Sequence, residues 1–415
     1  MSLRRIIAGL GASLRLLASP TWAQTISDPT GSPAPPATRQ GEGASLTFTA
    51  AYVADTLSNV AGGEATGARY LDLVKLSAAY GGSASRGDGP SGVVSIEHVN
   101  GANLSGQLVG ADQTITSIEA SPEAFRLYEA WLQKELLGGR LGVKAGIIDL
   151  NTTYDVQEAA TLFLNSSHGI GPELGRTGLN GPSIFPTPAL AVNTVWRPAG
   201  GWTAQLGVLN GVAGDPSHPG RFVAIEFSPR DGALIVAQVE RRCGDALRLE
   251  AGAWTYTSAF NALDRFDAAG APRRIGGNAG VYALAEGSIL ARSQGAKGGL
   301  GGWVRAGLAN EEINPIESYL GAGLVYTGLG RGRDKDQAGL AIARAAYGAP
   351  ARVAAARAGI ALGGAETVVE ATYRYLARDW LSVQPDLQYV VHPGGRLSVG
   401  DALVIGVRLA ATASR

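Results

Sequence analysis

Residues 246–257, ALRLEAGAWTYT, alternate between apolar and polar side chains. Leu247 and Leu249 fall on one face of an extended chain, and Arg248 and Glu250 fall on the other. Successive side chains of a β-strand point to opposite faces, so this pattern predicts a strand with two different environments. Charges of both signs occupy the middle of the polar face, which therefore meets water or partner groups.

The same alternation recurs along most of the chain. It predicts about sixteen antiparallel strands, an even number that suits a bacterial outer-membrane barrel with an aqueous interior. The predicted strands are residues 45–56, 68–80, 91–99, 123–136, 140–150, 187–197, 201–211, 232–242, 246–258, 276–290, 297–310, 317–328, 336–347, 364–377, 380–391 and 400–411. A further strand-like run, 223–227, is assigned to an outer loop because its omission keeps short turns alternating with long connections.

Composition restricts the alternatives. The 35 basic and 35 acidic residues balance, which argues against nucleic-acid binding and against a strong preference for ions of one sign.

Residues 1–23 are predicted to form a signal peptide, residues 24–43 a flexible leader and residues 44–412 the barrel. Alternation alone would also suit a soluble sandwich. The signal peptide, the lack of cysteine pairs and the number of strands favour a transmembrane barrel.

The connection at 151–186 is the longest in this scheme. Connections of such length in a compact fold are usually functional or disordered. The predicted fold class is therefore all-β, a transmembrane antiparallel β-barrel of about 16 strands with an inward-folded constriction loop. The alternative is that residues 151–186 form an ordinary surface loop.

Three stretches resemble a known family. They are KAGIIDLNTTYDVQEAATLFLN at 144–165, GWTAQLGVLNGVAGDP at 201–216, and QPDLQYVVHPGG at 384–395 followed by ALVIGVRL at 402–409. Together they resemble the carbohydrate-selective porins of the bacterial outer membrane, over roughly residues 44 to 410. The resemblance implies a sixteen-stranded barrel in the outer membrane and passive, sugar-preferring diffusion.

A sugar is neutral and rich in hydroxyl groups, so a site for it needs forked donors, carboxylate acceptors and weak contacts. The alternation gives candidates that face the lumen. Those predicted to bind substrate are Arg140, Lys144, Asp149, Asp155, Glu240, Arg242, Arg248, Glu250, Arg305, Glu370, Arg374, Asp386 and Gln388. Each could instead be a solvated wall charge or part of a wall ion pair. Trp196, Tyr373, Tyr375 and Tyr389 are predicted to lie on the lipid face, where aromatic rings anchor a barrel at the headgroups.

Other functions remain as alternatives. An outer-membrane barrel enzyme would need a nucleophile with an adjacent base, but the four histidines are scattered and no GxSxG motif occurs. No cofactor or metal site is predicted. An adhesion barrel and a general diffusion porin without sugar selectivity are the remaining alternatives. The predicted partners are mono- or oligosaccharides and outer-membrane lipid, with the chain as a homotrimer or a monomer.

Overall fold

One antiparallel sheet closes on itself in the computed structural model, which describes residues 45–81, 89–226, 231–244, 246–291, 298–330 and 332–415. Sixteen strands form the barrel, and the last strand pairs with the first. The described strands, of which β10 and β11 lie outside the barrel sheet, are β1 (Ser45–Gly63), β2 (Gly67–Gly81), β3 (Pro90–Val99), β4 (Ala124–Leu136), β5 (Leu141–Ile148), β6 (Ala189–Trp196), β7 (Trp202–Asn210), β8 (Ala233–Cys243), β9 (Leu247–Tyr256), β10 (Phe260–Phe266), β11 (Pro272–Ile275), β12 (Ala279–Ala291), β13 (Gly299–Ala309), β14 (Ile316–Thr327), β15 (Gln337–Tyr347), β16 (Ala365–Arg378), β17 (Leu381–Val391) and β18 (Gly400–Ser414).

The sixteen predicted strands are confirmed, each as one barrel strand. Strands β10 and β11 form a separate hairpin inside the connection 259–275, which the sequence had placed as a plain loop. A helix, α1 (Ala349–Arg357), lies in the connection between β15 and β16. Residues 223–226 are not strand, in agreement with the loop assignment, and Phe227 lies outside the described residues. The predicted signal peptide and leader also lie outside them.

The two faces of the wall differ in polarity, as the alternation requires. On β18, Ile405 and Leu409 are 42% and 45% exposed, whereas Arg408 between them is 6% exposed. Leu247 and Leu249 on β9 are exposed in the same way, and Arg248 and Glu250 are buried inside. An apolar exterior around a polar interior is the arrangement of a barrel that sits in lipid. Among the described helices, none has the length and apolar character needed to cross a bilayer.

Consecutive barrel strands are antiparallel, so successive connections alternate between the two ends of the barrel. The connections at 137–140 and 197–201 are short and share one end. Two long ones from the other end turn back into the barrel. We call residues 100–123 the first inner segment and residues 149–188 the second inner segment.

The inner segments complete the apolar core. Leu104 and Ile115 of the first inner segment pack against Val53 and Leu71, whose side chains point inward from β1 and β2. On the second, Leu162 and Phe163 join the inward-facing Leu284 and Trp303. Burial of these side chains removes apolar area from water and stabilises both segments inside the barrel.

Candidate functional site in the barrel interior

The second inner segment spans the barrel from one wall to the other. Near its start, the backbone N–H of Asp155 donates to Gln238 of β8 at 2.9 Å. Further along, the backbone N–H groups of Leu164 and Asn165 donate to the two carboxylate oxygens of Glu370 on β16, at 2.5 and 3.0 Å. Strands β8 and β16 are far apart in the barrel order, so the segment crosses the interior.

Arg305 on β13 is a fully buried anchor of this segment. Its Nε and Nη2 donate to the two oxygens of Asp155 at 3.0 and 2.7 Å, and Nη1 lies 2.5 Å from Glu173. All three side chains are fully buried. Glycines make the room: a Cβ at Gly171 would lie 2.0 Å from Arg305, and one at Gly307 would lie 1.9 Å from Glu173. The forked, charge-assisted contact between Arg305 and Asp155 fixes both the position and the orientation of the second inner segment.

A second anchor is centred on Arg248 of β9. Its guanidinium donates to Glu240 at 3.1 Å, to Glu250 at 3.0 Å and to Glu286 at 2.7 Å. It also donates to the backbone carbonyl of Val156 on the second inner segment. Arg248, which the sequence predicted to contact substrate, is therefore paired with three carboxylates and with the second inner segment that lies over it.

The carboxylate of Glu370 belongs to a third buried group. The Nε2 atom of His168 lies 3.4 Å from a Glu370 oxygen, and Gln388 donates to Asp386 at 2.9 Å. Burial lowers the pKa of His168 to about 3, so its imidazole is neutral at pH 7 and makes no ion pair with Glu370 there. This environment argues against His168 as a general base, which must hold a proton near the working pH.

The sequence did not predict that residues 100–123 also fold inward. Arg408 of β18 forms a fork with Asp55 of β1, at 2.8 Å for both contacts, and also donates to Thr116 at 2.8 Å. The carboxylate of Glu366 accepts from the backbone N–H groups of Asp112 and Gln113 at 2.8 and 2.6 Å. Arg408 and Glu366 lie at inward-facing positions of the alternation in β18 and β16, and this alternation is the sequence signal that could have identified them.

A cavity of about 260 Å³ lies between the two inner segments. The segments adjoin there through backbone hydrogen bonds, from Ser117 to Leu164 at 2.8 Å and from Ser166 to Thr114 at 2.9 Å. Polar and aromatic side chains from both segments and from the wall line it, among them Thr114, Glu119, Asn151, Phe163, Arg176 and Arg408.

Glu119 is a titratable group of this lining. Its carboxylate accepts from the backbone N–H and the hydroxyl of Ser105 at 3.1 and 2.8 Å. Burial raises the pKa of Glu119 to about 6, since the hydrogen bonds only partly offset the loss of hydration. The cavity therefore carries this negative charge at pH 7 and loses it in mild acid.

The structure separates the predicted site residues into groups. Asp149 lines the cavity between the segments. Lys144 is buried and donates to Thr153 of the second inner segment at 2.8 Å. Most of the others are buried beneath the segments, as described for Asp155, Arg248, Glu250, Arg305, Glu370, Asp386 and Gln388.

Glu240 belongs with Arg248, and three predicted residues lie away from that buried layer. Arg242 is half exposed and pairs with Glu240, which is itself largely buried, at 2.9 Å. Arg374 donates to Gln337 on the neighbouring strand. Arg140, expected on the lumen face of a strand, instead lies exposed in the turn before β5. Its main chain pairs there with Arg197, whose N–H donates to the Arg140 carbonyl at 2.7 Å.

An even-numbered closed barrel with an apolar exterior and a polar interior crossed by inward connections defines a porin of the outer-membrane type. A family model described as carbohydrate-selective porin, OprB family, matches residues 82–412. Porin B of Pseudomonas aeruginosa is 27% identical over 347 residues, which cover 75% of this chain and 74% of that protein. The chain belongs to the OprB family of carbohydrate-selective porins.

Solved structures support the same fold. The high-pH structure of Pseudomonas putida OprB matches with a TM-score of 0.79 at 21% identity, covering 89% of this chain and 94% of that one. The outer-membrane channel DcaP of Acinetobacter baumannii matches with a TM-score of 0.54 at 9% identity, covering 89% and 98%. Family and fold together make this chain a sugar-preferring channel of the bacterial outer membrane, a channel rather than an enzyme.

Proposed function

We propose that sugars cross the barrel through the cavity between the two inner segments, and that the second inner segment is the constriction that narrows the lumen. The observation that carries this proposal is the position of the cavity, between segments that are both hydrogen-bonded to the inner wall. Its volume of about 260 Å³ is close to the lower limit of small-ligand pockets, roughly 300 Å³. A monosaccharide suits this volume better than a long oligosaccharide.

The chemistry of the lining suits a neutral polyol. Arg176 offers a forked donor, and Glu119 and Asp149 offer acceptors, so hydroxyl groups find partners of both kinds. Phe163 supplies an aromatic face for the apolar side of a sugar ring. Contacts of mixed type are individually weak, which lets the solute leave as well as enter.

The predicted wall charges then have a structural function. Arg305, Arg248 and Glu370 lie under the second inner segment with their hydrogen bonds directed at it. We propose that these three side chains hold the constriction in place and that Asp149 contacts the solute. The oligomeric state stays a prediction, homotrimer or monomer, which chemical crosslinking of the protein in detergent would decide.

The path is tested by placing a large side chain in the cavity. Ser117→Trp adds an indole to the lining, whereas Ser217→Trp adds one to an exposed residue of an outer connection and serves as the matched control. In proteoliposomes, Ser117→Trp is expected to reduce glucose uptake and single-channel conductance severalfold, with Ser217→Trp unchanged. Equal uptake and conductance in both folded variants would contradict the proposed path.

A further inference from the structure

A groove of about 850 Å³ crosses the outer face of the barrel wall, over β9 and β12 to β16. The lipid-face positions at its floor carry small residues, which are Ala285, Gly287, Gly302 and Ala322. Larger apolar side chains border this floor, namely Leu247, Ile289, Val304, Leu324, Leu340 and Ile342. We call this feature the outer groove. Its floor lets another molecule approach the backbone of the wall closely, as small residues do at contacts within membranes.

The outer groove is long enough to hold an extended acyl chain. One limit is Leu247, the first residue of β9, at the end of the barrel that carries the short turns. The other limit is Val369, in the first half of β16, toward the end that carries the connection 348–364. Five steps between paired strands, of about 4.8 Å each, separate β9 from β16 and give a length of roughly 24 Å. One leaflet of a bilayer has a hydrocarbon depth of about 15 Å.

A cation lies at the β16 end of the outer groove. Arg344 follows Ile342 on the lipid face of β15 and is exposed, with Leu320 and Thr367 as its paired neighbours on β14 and β16. Its guanidinium makes a long contact, 3.4 Å, with the Thr367 hydroxyl. Among the described residues, no carboxylate lies within ion-pair distance of Arg344. Most of its five N–H donors are therefore directed outside the chain.

The depth of Arg344 in the wall indicates which groups it meets there. A charge on the lipid face of a barrel is costly at the centre of the bilayer and much less so near the headgroups. Arg344 lies close to Tyr347, where β15 ends and a long connection begins, and long connections of bacterial barrels lie outside the cell. The guanidinium is thus at the headgroup level of the outer leaflet, where phosphate groups lie. Ionisable residues on a membrane face are rare and mark specific contacts.

We propose that Arg344 and the outer groove form a binding site for a phosphorylated, acylated lipid of the outer leaflet. The phosphate accepts from the Arg344 guanidinium, whose planar fork matches phosphate oxygens in pairs. One acyl chain lies in the outer groove, against Ala322 and Gly302. The site is on the outside of the wall, so this inference does not depend on the solute path through the lumen.

Charge and shape together favour a lipid over a second copy of the chain. A phosphorylated lipid carries its anion and its apolar chain in one molecule, in the order that Arg344 and the outer groove present them. A second copy would have to offer a lipid-face anion, and Asp72 of β2, between Tyr70 and Val74, is one. Two barrels are both convex and touch along a narrow strip, whereas a flexible chain can follow a groove that runs across several strands. Asp72 therefore serves in the test as the marker of contact between copies.

The test is native mass spectrometry of the folded porin, released from detergent and titrated with purified lipid A. Parallel titrations use lipid A without its phosphates and phosphatidylglycerol, a phosphorylated lipid with two chains. Arg344→Met removes the cation, and Ala322→Phe fills the outer groove. Arg241→Met and Ala237→Phe are the matched controls, because both residues lie on the lipid face of β8 and outside the outer groove. Folding of each variant is checked first by heat-modifiable gel mobility.

We expect one tightly held lipid A molecule per barrel, bound about tenfold more weakly by Arg344→Met, since one charge-assisted contact corresponds to about a factor of ten in affinity. Lipid A without phosphates is expected to bind the parent and Arg344→Met equally, because the guanidinium then has no anion to contact. Ala322→Phe is expected to weaken the binding of both forms severalfold. Arg241→Met and Ala237→Phe are expected to match the parent.

Four outcomes would overturn the proposal. The first is parent affinity for lipid A in folded Arg344→Met or folded Ala322→Phe. The second is an equal loss in Arg241→Met or Ala237→Phe, which would indicate binding over the whole lipid face. Phosphatidylglycerol that binds as tightly as lipid A, with the same dependence on Arg344, would refute the assignment to the outer leaflet. A change of oligomer mass shared by Arg344→Met and Asp72→Asn, at unchanged lipid A affinity, would assign Arg344 to a contact between copies instead.

Discussion

Arg305→Met is expected to release the second inner segment from the wall. The substitution leaves the carboxylates of Asp155 and Glu173 fully buried without their cation. Removing one partner of a buried pair costs about 3–5 kcal/mol, since the remaining charge has neither water nor a counter-ion. At 1.4 kcal/mol per factor of ten, the docked segment loses roughly a hundredfold to a few thousandfold in its equilibrium with undocked forms.

The assay is single-channel conductance with stepwise addition of glucose. Arg305→Met is expected to show a larger and noisier current with weaker sugar block. The triple variant with Asp155→Asn and Glu173→Gln removes all three charges and is expected to recover most of the parent behaviour, because no buried charge remains. Burial raises the pKa of both carboxyls, so protonation in acid should lessen the defect of the single variant. A folded Arg305→Met channel with parent conductance and parent glucose block would refute the reasoning.

Three further predictions concern other parts of the molecule. Glu119, with a pKa raised to about 6, is charged above that pH and neutral below it, so cation preference measured by reversal potential should fall between pH 7 and pH 5 in the parent and stay flat in Glu119→Gln. Gly171→Ala places a Cβ 2.0 Å from Arg305 and is expected to raise conductance, with an unchanged current contradicting the tight fit. Ile342→Arg puts a charge on the lipid face of β15, where it should lower the unfolding free energy in bilayers by about 2–4 kcal/mol; an equal stability in a urea titration would place Ile342 outside the hydrocarbon layer.

The strands could be predicted because alternation is a local property. The phase that puts Leu247 and Leu249 outside and Arg248 and Glu250 inside depends on adjacent residues alone. The boundaries were less certain, and one residue of error moved Arg140 from a strand to a turn. The hairpin of β10 and β11 was missed because it lies outside the barrel sheet, where no lipid imposes an apolar face.

The partners of the inward side chains could not be predicted in the same way. Arg305 and Asp155 are 150 residues apart in the sequence, and alternation assigns a face without assigning a partner. The inward fold of residues 151–186 was predicted from the length of that connection. The shorter first inner segment folds inward as well, so length alone did not identify it. Its apolar Ile115 and Ile118, fully buried against the wall, were the signal that an ordinary outer loop would lack.

The balance of charge in the sequence also has a structural cause. The 35 basic and 35 acidic residues suggested a channel with little preference between ions. Inside the barrel, however, Arg305 and Arg248 are neutralised by carboxylates that hold the second inner segment, as the cost of burying an unpaired charge requires. These charges cancel because of docking and carry no information about the solute. On the proposed path, the charged groups beside the solute include Glu119, Arg176 and Asp112. We expect a single substitution among them to change ion selectivity without disturbing the barrel.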